Sequence, residues 1–152
     1  MTERARDLGL LLLRLSGVAL AVWHGFGKIA GLVGGESRFP QGVAELGFPQ
    51  PGLFAWAAAL SEGVGGWLIA LGLLTRVAAP FAAATMAVAA FGRHRLHEQL
   101  LSGIGLRPLP PEVLEELGSP EKALVYLLVF LALSLLGPGR WSLDHLLFRR
   151  RG

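Results

Sequence analysis

Residues 8–33 read LGLLLLRLSGVALAVWHGFGKIAGLV, and this stretch decides the class of fold. Its eight leucines, three valines, Ile29 and Phe26 supply roughly −5 kcal/mol on a membrane-insertion scale. Arg14 and Lys28 each cost about 2.5–3.5 kcal/mol at a helix centre and less near its ends. The two sums nearly cancel. Such a helix inserts best beside partner helices that offer its cations a counter-charge.

Three further apolar runs follow: residues 51–74, PGLFAWAAALSEGVGGWLIALGLL; residues 77–94, VAAPFAAATMAVAAFGRH; and residues 121–136, EKALVYLLVFLALSLL. At 1.5 Å of rise per residue, about 20 residues cross the hydrocarbon core of a bilayer. The first two runs suffice by length; the shorter two need Arg93, Arg95 and Lys122 to snorkel toward the headgroups. Composition agrees. The 21 glycines added to a hydrophobic share of 53% bring the apolar fraction to about 67%, where soluble domains hold about 45–50%. Charged residues make up 16% of the 152, and the mean hydropathy is +0.53. There is no cysteine, which excludes a disulfide scaffold, iron–sulfur clusters and zinc–thiolate sites. The net charge of +3 is scattered or sits at the ends of apolar runs. Its one dense cluster, Arg149–Arg151, beside an apolar segment, fits anionic headgroups better than a nucleic acid.

The expected fold is therefore all-α: one domain over residues 1–152, an integral membrane four-helix transmembrane bundle. MTERARD followed by leucines resembles the start of a signal peptide, but no cleavage site follows at the usual distance, so the first run reads as a retained helix. Four crossings put both termini on one side. Arg76 in a very short loop and the terminal arginines assign that side to the cytoplasm of an inner-membrane protein. Two longer connections lie opposite. Residues 34–50 hold a short helix over Pro40 to Leu46, and residues 95–120 hold PPEVLEELG, with proline at its start and Gly118 as its stop. Both read as interfacial caps.

Ionisable residues within the spans are the candidate functional groups. At 100° per residue, Arg14, His24 and Lys28 fall in one arc of about 80°, and Gly17, Ala21 and Gly25 lie along it as a small-xxx-small track that admits a neighbouring helix. The second run contributes one acid, Glu62. Measured along the axes, Arg14 lies about 9 Å deep, Glu62 about 18 Å and His24 about 24 Å. Glu62 is thus expected to pair with Arg14 or His24. His94 ends the third run. His24 and His94 could be axial haem ligands, or together with Glu62 a metal site, although no spacing demands either. Trp23, Phe26, Phe54, Trp56, Trp67 and Phe91 are candidates to line a pocket for a flat apolar molecule, or to form core and interfacial belts.

The order of motifs resembles the DoxX family of small four-helix membrane proteins. The likeness runs from about Leu10 to Leu147 through LLLRLSGVALAVWHGFGK, LGFPQP, SEGVGGWLIALGLLTRVAA, MAVAAFGRH, EKALVYL and LLGPGRWSLDHLL. It implies a redox-associated, quinone-linked membrane subunit. Its polar positions carry over onto Arg14, His24, Lys28, Glu62, Arg76, His94, Glu121, Arg140 and Asp144. The proline-containing connection RLHEQLLSGIGLRPLPPEVLEELGSP departs from the usual pattern. Three readings follow. In the first, the chain is a subunit of a membrane oxidoreductase, with no redox centre of its own, whose His24, Lys28 and Glu62 contact a quinone. In the second it is a scaffold that anchors a partner oxidoreductase subunit or forms homo-oligomers, its ion pairs structural. In the third it is a small transporter.

Overall fold

The computed structural model describes residues 2–148; Arg149–Arg151 lie outside the described residues. Among these the chain is all-helical. α1 spans Glu3–Gly34, 32 residues, a length of about 48 Å, so it outruns the hydrocarbon core. Thr2 caps its start by accepting a hydrogen bond from the Ala5 N–H at 3.4 Å, and Gly35 stops it in the left-handed region at φ 72°. α2 is Phe39–Glu45, with Pro40 in its first turn. α3 is Pro51–Leu71 and closes on Gly72, whose φ of 67° lets the chain reverse at once into α4, Thr75–Arg93. α5 is Leu96–Gly103 and α6 is Pro111–Leu117. α7, Glu121–Leu136, meets α6 at a bend of 45°. α8, Leu143–Phe148, ends the described chain.

α1, α3 and α4 are each long and apolar enough to span a membrane, and α7 reaches that length and hydropathy only when joined to α6 across their bend. These four form the bundle: α1 packs on α3, α3 on α4 and α4 on α7, with a lighter α1–α7 seam. The short helices expected in the 34–50 and 95–120 connections are present as α2 and α6. α5 and α8, of eight and six residues, are additional: they are too short to show a helical period beside the long spans.

Small residues set the packing. Gly17 and Ala21 of α1 meet Gly66 of α3, and Gly25 meets Gly63; a Cβ on Gly17, Gly25 or Gly66 would run into the backbone of the facing helix. The sequence track of small residues thus does bring a neighbour close. Across the bundle, Ala78, Ala79, Ala82 and Ala83 of α4 are buried, opening room for Phe130 and Leu133 of α7. Large apolar side chains point outward instead, among them Trp23 at 75% exposure and Leu135 at 81%, as expected where lipid replaces water. Of the two expectations for the aromatic residues, the belt is the one this exposure fits, with Trp56 half-buried. Trp23, Phe26, Phe54, Trp67 and Phe91 are all exposed on the outer surface.

Two helices are locally widened into π-helical turns, Ala21–Gly25 in α1 and Val88–Arg93 in α4. A π turn accommodates an extra residue and rotates everything after it relative to an ideal wheel. Such turns recur at functional sites.

Replacing Gly66 by leucine should push α1 and α3 apart and cost about 1–3 kcal/mol or more. Gly27→Ala, at a position with nothing within 4 Å of the added atom, should be tolerated. Thermal unfolding of the two variants in mild detergent checks this, the first melting well below the parent and the second close to it.

Candidate functional site

Gly25 rests against Gly63, which sets Lys28, almost one turn further along α1, beside Glu62. The Lys28 ammonium donates to both carboxylate oxygens, at 2.6 Å to Oε1 and 2.7 Å to Oε2. Glu62 is fully buried, whereas the Lys28 side chain keeps 29% of its exposure. The ammonium also lies 4.7 Å from the centre of the Phe39 ring, on the cap helix α2. A cation with three N–H donors has two of them committed to Glu62. The pairing expected for Glu62, with Arg14 or His24, is therefore corrected. Axial depths ignored the four-carbon stem of lysine, which reaches about a helical turn back toward the middle of the bundle.

His24 lies within the π turn and is rotated toward the α1–α7 seam. Its ring meets the edge of Tyr126 at 6.1 Å, and Tyr126 stacks on Phe130 at 5.7 Å. Sequence reading missed Tyr126, although it is the only tyrosine in the chain. On the α3–α4 seam, Ser61 and Thr85 share a hydroxyl hydrogen bond of 3.1 Å.

Arg14 is 1% exposed and reaches the other end of the bundle. Its Nη2 donates to the Trp141 carbonyl, and it passes over Gly72, where a Cβ would collide with it. Asp144 holds the adjoining turn: its carboxylate accepts from Leu74 N–H at 2.7 Å and Thr75 N–H at 2.9 Å, and its own N–H donates to Gly72 O at 2.8 Å. Asp7, also missed, accepts from Arg140 N–H at 3.0 Å, while the Arg140 guanidinium pairs with Glu3. Arg76 lies against Gly137. Glu121 is exposed in the first turn of α7.

His94 is a fastening for the opposite cap. Its Nδ1 lies 2.6 Å from the Leu117 carbonyl, and Gln99 donates to the carbonyls of His94 and Gly118 at 2.7 and 2.9 Å. In the same connection, a hydrogen bond from Arg95 holds the Glu98 carboxyl below the usual carboxylate range, with Arg107 and His97 adding to it and partial burial opposing. That contribution is present above the ordinary carboxylate pKa and fades as pH falls through the lowered value. Among the described residues no three His, Asp or Glu side chains gather to hold a metal ion. Glu62, His24 and His94, considered together as a metal site, instead face Lys28, Tyr126 and Leu117 respectively.

The DoxX family model matches residues 9–95, from the head of α1 to just past the end of α4. The chain belongs to the DoxX family. The matched stretch contains Arg14, His24, Lys28, Glu62, Arg76 and His94; Glu121, Arg140 and Asp144 lie beyond it. No curated protein and no solved structure matches the chain. In this DoxX protein the intramembrane charges thus divide in two. One is a side-chain pair, Lys28–Glu62. The other is a set of charges fastened to backbone groups at the end where α8 lies.

Lys28→Met leaves the buried Glu62 carboxylate without its cation and should destabilise the fold by about 3–5 kcal/mol. Lys28→Met combined with Glu62→Gln should recover much of that loss. A double-mutant cycle on thermal unfolding in detergent measures the coupling, and independent, additive effects would contradict the pairing.

Proposed function

We propose that this DoxX protein is a multi-pass subunit of the inner membrane, its single bundle domain serving a quinone-linked redox system and both termini in the cytoplasm. The observation that carries the reading is the Lys28–Glu62 pair, buried at its acid and partly open at its base. The DoxX resemblance supports the redox association. The positive residues Arg4, Arg6 and Arg76 at the end that holds the termini support the orientation.

The donor set fits a quinone head. Lys28 retains one N–H beyond the two held by Glu62, and that N–H can donate to a carbonyl oxygen. Glu62 can take a proton from Lys28 through a contact already made, so a proton can pass between bilayer and protein without moving a helix. His24 and Tyr126 add a polar edge on the α1–α7 seam. A bound quinone would supply the electron chemistry; the chain's own residues orient it, donate to it and hold the proton.

The scaffold reading has its own support: Arg14, Asp7 and Asp144 all tie separate elements together through backbone groups. Organic extraction of the protein purified in mild detergent separates the two. The redox reading expects quinone near one per chain in the parent and its loss in His24→Ala and in Lys28→Met/Glu62→Gln. An extract that holds only phospholipid, with Glu62→Gln lowering protein level alone, would favour the scaffold.

A further inference from the structure

An open groove of about 630 Å³ runs between the first turns of α1 and the segment entering α8, lined by Glu3, Arg4, Asp7, Arg140, Trp141 and His145 among others. Its two acids are engaged. Asp7 accepts from the Arg140 backbone, and Glu3 pairs with the Arg140 guanidinium. That ion pair is open to solvent, at 59% exposure for Arg140 and 82% for Glu3, and such pairs are weak enough for a stronger anion to displace. Arg4 makes no ion pair among the described residues, and Arg6 lines the adjoining pocket. Arg4 is therefore the groove's arginine without an ion-pair partner among the described residues, and Arg140 becomes a second once Glu3 is displaced.

Its rim is apolar. Trp141 is half exposed, and α8 turns Leu146, Leu147 and Phe148 outward at 75%, 64% and 64% exposure. Three arginines follow Phe148 in the sequence. Arg14 and Asp144 fasten this segment to the end of the bundle, so the cations and the exposed apolar row share one end of the transmembrane helices. Cationic groove, tryptophan rim and apolar row together match the layered chemistry of a bilayer surface, with phosphate outside and acyl chain within.

We propose that this groove is a binding site for the headgroup of an anionic phospholipid, its phosphate between Arg4 and Arg140 and its acyl chains along Trp141 and α8. The site is separate from the Lys28–Glu62 pair and independent of the redox reading.

The test uses the full chain in mild detergent, with lipid retention read by native mass spectrometry and protection read by thermal unfolding. Phosphatidylglycerol is expected to be retained and to raise the unfolding temperature, and phosphatidylcholine to do neither. Arg4→Gln/Arg140→Gln should weaken phosphatidylglycerol retention roughly thirtyfold. Arg4→Gln alone, which breaks no pairing, carries the test if the double variant does not fold. Equal retention of the two lipids would overturn the proposal, as would unchanged retention in the arginine variants. Protection by glycerol 3-phosphate equal to that by the lipid would do the same, since it would mark a site for a free anion. A loss confined to Arg149→Gln/Arg150→Gln/Arg151→Gln would move binding off the groove and overturn it too.

Discussion

The backbone-to-backbone approach of α1 and α3 is the constraint from which the other contacts follow. In a bilayer, lipid is as apolar as leucine, so helices gain little by merely hiding apolar surface from their surroundings. They associate where close packing or hydrogen bonds give more than lipid can. Gly17, Ala21 and Gly25 against Gly63 and Gly66 provide that closeness. Once the two axes are so near, a lysine on one helix reaches a carboxylate on the other with both oxygens in range. At wider separation Glu62 would lose its cation inside the bundle and Lys28 would turn to the headgroups. The glycine contact comes first in this order of causes, and the charge pair depends on it.

The alanines of α4 play a related part on the far side. With Ala79 and Ala82 fully buried, the ring of Phe130 fits between helices and closes the core. The α1–α7 seam has no such track and is lighter. It is also where the π turn of α1 displays His24. A seam held by an edge-on ring contact, rather than by interlocked backbone, is the one a lipid-soluble molecule could part at least cost.

Much of this was legible in residues 8–33 alone. The helix, its small-residue track and the need of its cations for partners all follow from residue type and a period of 3.6. The short caps were legible because proline and glycine punctuate them, as at Pro111 and Gly118. The partner of Glu62 was not. A wheel turned at a fixed 100° carries no π turn, so it kept His24 on the α3 face when the structure rotates it to α7. Arg14 shows a second limit. Its partner is the carbonyl of Trp141, 127 residues away, and Asp7 and Asp144 also bind backbone N–H groups. A backbone partner has no residue type, so no sequence pattern announces it.

The two kinds of partner also bear on what each end of the bundle can do. A carboxylate such as Asp144, holding two backbone N–H groups at the head of α4, forms the cap that stops α4 from fraying. Its position is fixed by the fold, and so is that of Arg14, whose guanidinium is buried over Gly72. Lys28 and Glu62 are under no such restriction. Their bond joins two side chains and involves no backbone group at a helix end. Of the two sets, Lys28–Glu62 is therefore the one that leaves the helix ends untouched, while the end that carries α8 is held through backbone groups.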